Sequence, residues 1–371
     1  MTREVVVIGG GLAGAAMATH LAQAGRDVLI LERSTGPHDK VCGEFLSYEA
    51  QDELSHLGID LPALGAVPID RVSVERGPKR AEAALGFQAL SVSRRVLDEA
   101  LLARAAEVGA EVRRGVRATT LSQNSSGWVV EAGTKIRGRD LVLATGKHDL
   151  RGWQRPPGRQ PDLIGLKMHW LLHAPETLAG QVELSLFPGG YAGLEPVEGG
   201  RANLCLVVRG SAFAALDRCW ETLLAHLRAT CPGLASRLDG AEPCAARPLA
   251  VARIPYGLVQ KESGGLWRIG DQAAVIPSFT GEGMSQALHG ARMAARCLTD
   301  GVSPEAFQRR LARDLGNQVR RSTLVSKALV SPVLQALAGH ILAPPLLRGG
   351  LRATRIPEAA RYFRAPERTS S

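Results

Sequence analysis

The sequence predicts an α/β fold in which a nucleotide-binding domain of the Rossmann type carries an inserted α+β domain. Three observations lead to this expectation. An apolar segment near the N-terminus runs into a glycine-rich turn and an alanine-rich helix, a Pro- and Gly-rich stretch changes the composition near residue 156, and a second strand–loop–helix pattern follows near residue 270. A chain of 371 residues is long enough for two domains in close contact.

The N-terminal elements form a predicted βαβ unit. Glu4–Ile8 is a predicted buried strand, because its last four residues are aliphatic and run directly into glycine. Leu12–Ala24 follows as a helix that Gly25 closes, and Asp27–Leu31 is a second apolar strand. The whole unit has the expected size of about 30 residues.

The turn between the first strand and the helix has the pattern G-x-G-x-x-G. Its first glycine permits the tight turn, its second lets the backbone approach a pyrophosphate, and its third lets the helix pack on the strand. The helix N-terminus offers free N–H groups to phosphates, and an acid that closes the second strand can accept a hydrogen bond from a ribose hydroxyl. A purely structural glycine turn is the alternative. The predicted cradle is Gly9, Gly11, Leu12, Ala13, Gly14 and Glu32.

A second site near the other end of the chain identifies the dinucleotide. Gly270-Asp271 ends a short strand that begins at Leu266, and Pro277–Gly283 leads into a helix over Met284–Leu298. The Asp can bind the ribityl or pyrophosphate region, and the helix start directs positive charge at the N1–O2 edge of a flavin. An NAD-only dehydrogenase does not need this second site, so we expect FAD. The alternative is a surface turn before an ordinary helix.

The remaining pattern gives the domain boundaries. Residues 1–150 and 265–302 are expected to form a discontinuous FAD-binding domain, 151–264 a substrate domain with an antiparallel sheet, and 303–371 a helical C-terminal region with a basic tail. The elements that support this division are a helix at Leu97–Val108, strands at Glu111–Val116, Gly127–Glu131, Asp140–Ala144, Leu163–His173, Gln181–Phe187 and Arg201–Arg209, and a helix at Ala212–Ala229.

Six segments match motifs of one flavoprotein family, namely Gly9–Gly14, Glu32-Arg33, Lys40–Glu44, Arg94–Asp98, Asp140–Gly146 and Gly270–Gly283. On these motifs the chain resembles the geranylgeranyl reductase branch of the FAD-dependent family that includes para-hydroxybenzoate hydroxylase, the group A flavoprotein monooxygenases. The resemblance covers residues 1–150 and 265–300 and is loose between them. It implies an FAD-binding domain of the GR2 type.

The resemblance also implies roles for single positions. Arg94 would reach the FAD phosphates, and Arg33 would lie near the adenine and ribose. The segment Lys40–Glu44 would pass beside the flavin, where Cys42 either donates a proton or packs as a small apolar group, and Gly43 approaches the ring through its backbone. Further expected cofactor contacts are Thr145, Gly146, Gly270, Asp271, Pro277, Gly281, Gly283 and Met284.

The segment Tyr191–Pro196 departs from the family pattern. The reductases have Y-x-W-x-F-P there and the flavin halogenases W-x-W-x-I-P, whereas this chain keeps the Tyr and the Pro and lacks the central Trp. The departure argues against a halogenase and also against an orthodox prenyl reductase. The hydroxylases also carry an Asp-Gly pair associated with NAD(P)H use, where this chain has Thr145–Asp149.

The predicted catalytic residues are Cys42, His169 and Tyr191. A His on an apolar strand is more often a core residue with its hydrogen bonds made than a base, and Glu195 before Pro196 has the same alternative interpretation. No pair of titratable side chains stands out as an acid–base couple, which suits a flavin enzyme because the cofactor carries the difficult chemistry. The strand residues expected to line a pocket with His169 and Tyr191 are Met168, Trp170 and Phe187.

Composition excludes several classes of protein. Six Cys without a C-x-x-C pair predict neither a zinc site nor a disulfide framework, so we expect no metal and a cytoplasmic location. Of the net charge of +9, most lies in residues 301–371, which hold twelve Lys or Arg and four Asp or Glu. No nucleic-acid partner is expected, since basic residues and aromatics are not interleaved. The tail is either solvated or in peripheral contact with a membrane surface.

These observations predict an NAD(P)H-dependent FAD monooxygenase that hydroxylates a hydrophobic small molecule of secondary metabolism with O2. The first alternative is a reductase that saturates prenyl double bonds with the same cofactor, since the resemblance is to reductases. The second alternative is a non-catalytic protein that binds FAD or lipid. Oxygen consumption separates the first two, and ligand-stimulated NAD(P)H oxidation excludes the third.

Overall fold

Sixteen strands alternate with helices in the computed structural model, which describes residues 2–125 and 127–338. The strands are β1 (Thr2–Ile8), β2 (Val28–Glu32), β3 (Phe45–Leu46), β4 (Val67–Arg76), β5 (Lys79–Ser91), β6 (Glu111–Arg114), β7 (Thr120–Asn124), β8 (Gly127–Glu131), β9 (Lys135–Leu143), β10 (Leu163–Leu171), β11 (Gly180–Phe187), β12 (Gly190–Val197), β13 (Arg201–Arg209), β14 (Glu242–Pro243), β15 (Leu249–Ala252) and β16 (Trp267–Arg268).

Nine α-helices lie in the same part of the chain, together with three short 3-10 turns. The helices are α1 (Leu12–Gln23), α2 (Tyr48–His56), α3 (Arg94–Glu107), α4 (Gly210–Ala214), α5 (Trp220–Thr230), α6 (Pro232–Arg237), α7 (Gly283–Thr299), α8 (Pro304–Leu329) and α9 (Pro332–Ala338). The 3-10 turns are Pro175–Leu178, Gly270–Gln272 and Ser278–Thr280.

The first sheet has the strand order β6-β2-β1-β9-β8-β7, with β16 added beside β9. Strands β6, β2, β1, β9 and β16 run parallel, and β7–β9 form an antiparallel meander. The last four residues of β1 and the first four of β2 are aliphatic and buried, which fits burial on both faces of a parallel sheet. Helices α1, α3 and α7 bury their apolar side chains in the core beside this sheet. The predicted βαβ unit and the Rossmann-like fold class are confirmed.

The second sheet has the order β14-β10-β13-β12-β11-β4-β5-β3, with β15 beside β10. All of its pairs are antiparallel except β11 with β4. Three of these strands come from residues 45–91, which the sequence analysis assigned to the FAD-binding domain. Strands β4 and β5 form a hairpin that turns at Gly77, and their alternating exposed and buried residues suit one face on a core. The chain therefore enters the second sheet before residue 151.

One helix expected from the sequence needs correction. The single helix expected over 212–229 is two helices, α4 and α5, because Asp217 and Arg218 between them adopt left-handed backbone angles (φ 57° and 50°). Those angles cannot continue a right-handed helix. The expected helical C-terminal region is present as α8 and α9 up to residue 338, and the basic tail beyond it lies outside the described residues. None of the described helices is both long enough and apolar enough to span a bilayer.

Candidate functional site

A cavity of about 890 Å³ lies between the two sheets. On one side it is lined by the glycine turn of β1, by residues 38–45, by residues 144–151 and by the start of α7. Strands of the second sheet form the opposite side. The lining includes every residue predicted for the site except Gly14, Pro277 and His169. Both ends of the chain thus meet in one cavity, as the motifs required.

The glycine turn is built on backbone contacts that exclude side chains. Gly9 has φ +105°, and a Cβ there would lie 2.4 Å from the carbonyl oxygen of Ala144. A Cβ on Gly14 would lie 1.9 Å from the carbonyl oxygen of Gly9, although Gly14 does not line the cavity. The N-cap of α1 is Gly11, which provides no side chain to cap the helix. The first turn of α1 is therefore open to a phosphate from the cavity side.

Glu32 holds a fixed negative charge at the end of β2. Its side chain accepts hydrogen bonds from the backbone N–H groups of Gly10 (2.7 Å) and Ser34 (2.8 Å). Burial raises the pKa of Glu32, but these two N–H donors outweigh it and the pKa lies below its ordinary value. An ionised, oriented carboxylate at this position fits a ribose hydroxyl.

Two cations stand beside the second glycine of the turn. Arg94 donates two hydrogen bonds to Asp98 (2.8 and 3.0 Å), and Lys40 Nζ donates a third (2.7 Å). A Cβ on Gly11 would lie 3.0 Å from Lys40 Nζ and 3.6 Å from Arg94 Nη2. Burial raises the pKa of Asp98, but Arg94 and Lys40 reverse the effect and the net pKa is lowered. The geometry fits the phosphate role that the resemblance gives to Arg94, and adds Lys40, which sequence reasoning left without a role of its own.

The start of α7 provides the second helix N-terminus. Gly281 adopts φ +70°, and α7 begins at Gly283, where an added Cβ would meet nothing within 4 Å. Its N-cap, Glu282, makes no side-chain cap hydrogen bond, so the N-terminal N–H groups remain available to a ligand. Nearby, Lys147 lies 3.5 Å from the carboxylate of Asp271. Two uncapped helix starts, two cations and a ribose-type acid around one cavity fit FAD.

The second sheet turns one face of β10, β13 and β12 to this cradle. Three rows of directly paired residues cross that face, namely His169–Asn203–Glu195, Lys167–Cys205–Gly193 and Gly165–Val207–Tyr191. Side chains alternate between the faces of a strand, so Met168 and Trp170 point the other way. Together with Phe187 they lie in the apolar core with α5 and α6, so the expectation that these three line the pocket is wrong.

A buried charge network surrounds Glu44, the last residue of Lys40–Glu44, which we call the flavin-side segment after its expected position. Glu44 adopts φ 62° and is fully buried. Its carboxylate accepts hydrogen bonds from Lys167 Nζ, from His169 Nε2 (2.7 Å) and from the backbone N–H of Arg94 (2.7 Å). Burial raises the pKa of Glu44, but Lys167 and His169 bring it below its ordinary value. His169 therefore holds Glu44 and does not line the cavity, as its core interpretation expected.

Asp39 lies close to the same network. Its Oδ1 is 3.8 Å from Nδ1 of His169, and one ligand-type atom each of Asp39, Glu44 and His169 lie within 4.8 Å of one another. The Lys167 ammonium already neutralises Glu44 there, and a cation would compete with it. We therefore describe these residues as an ion-pair network.

Glu195 lines the cavity next to this network, although sequence reasoning saw no acid–base pair. Its Oε1 accepts a hydrogen bond from Asn203 Nδ2 (3.2 Å), which also donates to the carbonyl of Cys42 (3.1 Å). Burial raises the pKa of Glu195 well above its ordinary value, and the charge of Glu44 adds to the rise. The signal for such a face was present in the sequence, since Gly165, Lys167 and His169 alternate with apolar residues.

Tyr191 and Cys42, the other two catalytic candidates, both line the cavity. The Tyr191 hydroxyl lies 2.9 Å from Ser278 Oγ, and burial raises its pKa to about 12. The Cys42 sulfur accepts a hydrogen bond from the backbone N–H of Glu44 (3.4 Å). The same cavity is also lined by apolar side chains of the second sheet, and we call the part beside them the apolar chamber; they are Val72, Leu85, Phe87, Val182, Leu184 and Val251.

A dinucleotide cradle that opens into an apolar chamber defines a flavin-dependent oxidoreductase. The comparisons agree, because residues 2–141 match the family described as "FAD binding domain". Among curated proteins the chain is 28% identical to the menaquinone reductase of Mycolicibacterium smegmatis, over 80% of this chain and 76% of that protein. It is 28% identical to digeranylgeranylglycerophospholipid reductase 2 of Methanopyrus kandleri, over 94% of this chain and 92% of that protein. Residues 2–141 are therefore similar to an FAD-binding domain, and the chain resembles these reductases over most of its length.

Solved structures agree on the fold. Halogenase PltM in complex with phloroglucinol and FAD superposes with a TM-score of 0.75 at 17% identity, over 96% of this chain and 87% of that one. A flavoprotein/dehydrogenase from Cytophaga hutchinsonii gives a TM-score of 0.75 at 18% identity, over 95% of this chain and 96% of that one. At these identities the likeness concerns the fold alone.

Proposed function

We propose that this oxidoreductase is a reductase that uses NAD(P)H and FAD to saturate a carbon–carbon double bond in a lipophilic, prenyl-bearing substrate. The single observation that carries the proposal is the continuity of the FAD cradle with the apolar chamber. A bound FAD would supply electrons to a substrate in the apolar chamber. That substrate should be apolar, because the wall of the chamber consists of aliphatic and aromatic side chains. The two curated relatives, both named as reductases, support the same class of reaction.

The residues divide the work between binding and exclusion of water. The start of α1, Lys40 and Arg94 would hold the phosphates, and Glu32 a ribose hydroxyl. The start of α7 would place its positive end at the flavin. The apolar chamber would exclude water from the reacting carbon atoms.

A monooxygenase remains the second candidate. Gly193 lines the cavity at the position where the reductase motif has Trp, and its backbone leaves more space there. That departure favours a substrate or a reaction different from those of the reductases. A water-poor chamber would also suit hydroxylation by O2 of a hydrophobic compound of secondary metabolism, with the same NAD(P)H and FAD.

Anaerobic turnover tests the proposal. FAD-loaded protein is mixed with NADPH or NADH and with either menaquinone or digeranylgeranylglycerophospholipid, and the products are analysed by mass spectrometry. A reductase adds two hydrogens per double bond without O2. Turnover that requires O2 and adds one oxygen atom would instead establish the monooxygenase, and NAD(P)H oxidation that no ligand stimulates would contradict both.

A blocking variant tests whether the apolar chamber is the substrate site. Leu184→Trp fills the chamber, so KM for the accepted probe should rise about tenfold or more, which corresponds to about 1.4 kcal/mol. The FAD content should stay that of the unmodified protein. Leu171→Trp is the matched control, because Leu171 lies at the exposed end of β10 outside the cavity. Equal KM values for the two variants would place the substrate elsewhere.

A further inference from the structure

Two buried carboxyl groups of opposite character adjoin the cavity. The Glu44 carboxylate accepts hydrogen bonds from three donors, one of which is the ammonium of Lys167. These partners lower the pKa of Glu44 against the effect of burial. Glu195 is 4% exposed and accepts one hydrogen bond, from the neutral amide of Asn203. When their surroundings drive the pKa values of two carboxyl groups apart, one group stays ionised and the other keeps its proton. Here Glu44 is the anion and Glu195 the acid.

The position of Glu195 connects it to the flavin-side segment. An added Cβ on Gly43 would lie 3.8 Å from Glu195 Oε1. Asn203 bridges the same Oε1 to the carbonyl of Cys42, so the carboxyl group is held against this segment. Its second oxygen makes no hydrogen bond within residues 2–125 and 127–338, and Glu195 lines the cavity. The acid is thus oriented by one oxygen and free to act through the other.

Other groups around Glu195 are less suited to give up a proton. Tyr191 has its pKa raised to about 12 by burial, and Cys205 likewise to about 12. Lys167 is engaged by Glu44 and does not line the cavity. The titratable groups that interact with Glu195 from the neighbouring elements are Glu44 on the flavin-side segment, Lys167 on β10 and Cys205 on β13.

We propose that Glu195 is the general acid of this site and donates the proton that completes the saturation of the substrate double bond. The proposal rests on the reductase function proposed above. One carbon of the double bond would receive a hydride equivalent, which an FAD held in the cradle and reduced by NAD(P)H would supply. The O–H bond of Glu195 breaks, its proton forms the new C–H bond at the other carbon, and the carboxylate left behind regains a proton from solvent. Glu44, with Lys167 and His169, is a positioning group that keeps Glu195 protonated.

The first experiment detects the proton itself in FAD-loaded protein without substrate. Infrared difference spectra across a pH titration should contain the C=O stretch of a neutral carboxylic acid that persists to neutral pH. The part of this band that belongs to Glu195 should vanish in Glu195→Gln and remain in Glu242→Gln, whereas the part that Glu53 contributes up to about pH 7 should vanish in Glu53→Gln. A band that Glu195→Gln leaves unchanged would contradict the proposal. Glu242-Pro243 on β14 is a matched control, since it is also a Glu before a Pro in the same sheet but is exposed and outside the cavity. Absence of the band in the unmodified protein would overturn the proposal.

The second experiment separates the two half-reactions by stopped flow, with the probe that the unmodified protein turns over. Glu195→Gln should bind FAD and accept electrons from NAD(P)H at the normal rate, and should transfer them to the probe about 100-fold more slowly. Glu195→Asp should regain part of the rate with a shifted pH profile. Equal rates of electron transfer to the probe in Glu195→Gln and the unmodified protein would overturn the donor role.

The two proposals fail in different ways. If the unmodified protein reduces neither probe although the infrared band is present, the reductase assignment fails and the donor role fails with it. If the unmodified protein reduces a probe and Glu195→Gln does so equally well, only the donor role fails. Should Glu195→Gln not fold, Glu195→Asp and the infrared titration of the unmodified protein decide the question.

Discussion

The two ends of the cavity are built by different means. At the cradle, glycines and two helix starts bring bare backbone to the ligand, and Gly9 and Gly14 leave no room for a Cβ. On the side of the second sheet the ligand would meet side chains that distant residues hold in place, as Lys167 and His169 of β10 hold Glu44. Recognition by backbone depends on a few residues close together in the chain. Recognition by paired side chains depends on residues more than 100 positions apart. Substitutions among these side chains should therefore have different effects from substitutions in the cradle.

The largest effect is expected from the charge network of the second sheet. Lys167→Met removes a 1%-exposed ammonium and leaves the Glu44 carboxylate buried, which should cost about 3–5 kcal/mol of unfolding free energy. Urea denaturation of both proteins measures the loss. The control is Lys79→Met on the exposed end of β5, which should change stability by no more than about 0.5 kcal/mol. Adding Glu44→Gln to Lys167→Met should restore part of the loss, and a double variant no more stable than Lys167→Met would argue against the ion pair.

The second largest effect on stability is expected at Glu53, a carboxyl group on α2 that is less well paired than Glu44. Burial raises the pKa of Glu53 to about 7, and its ion pair with Arg292 measures 3.8 Å. The folded state thus binds this proton more tightly than the unfolded state does. The stability that it contributes is present below about pH 4.5 and is lost as the pH rises towards 7.

Glu53→Gln should remove the loss of stability with rising pH, because the amide does not ionise. The variant should be roughly 3 kcal/mol more stable than the unmodified protein at pH 8 and close to it at pH 4.5. Thermal melts at the two pH values measure the difference. A variant that is destabilised equally at both values would show that Glu53 acts as an anion.

The close backbone packing of the cradle is tested by adding one methyl group at Gly14. Gly14→Ala puts a Cβ 1.9 Å from the carbonyl oxygen of Gly9, so backbone must move, at a cost of about 1–3 kcal/mol and with lower FAD content. Gly316→Ala is the matched control, since Gly316 also lies in a helix but has nothing within 4 Å of its Cβ position. It should be more stable than the unmodified protein by about 0.5–1 kcal/mol. Equal FAD occupancy in the two variants would contradict the role of close backbone packing.

The smallest effect is expected at Tyr191. Tyr191→Phe removes the hydrogen bond to Ser278 Oγ, which should cost about 1 kcal/mol of stability. If Glu195 rather than Tyr191 supplies the proton, the rate of electron transfer to the probe should fall less than tenfold, which stopped flow can measure. If Tyr191→Phe slowed electron transfer to the probe as much as Glu195→Gln does, Tyr191 rather than Glu195 would be the proton donor.

Sequence reasoning succeeded where the physical requirement is local. The glycine pattern, the strand before it, the helix after it and Glu32 all lie within about one βαβ unit, so chain order alone placed them. It failed for β4 and β5, because a hairpin can add to either sheet and its 67–91 sequence does not specify which. It also failed to separate Met168 and Trp170 from His169, since the alternation reveals two faces without saying which one meets a ligand.

By itself the sequence therefore determined the glycine turn with Glu32 and the α/β class, because each follows from contacts between near neighbours in the chain. Only the tertiary structure decided that Glu44, Lys167, His169, Asn203 and Glu195 form one network beside the cavity. The burial that drives apart the pKa values of the two carboxyl groups comes from the packing of the second sheet against the FAD-binding domain, and no local pattern encodes it.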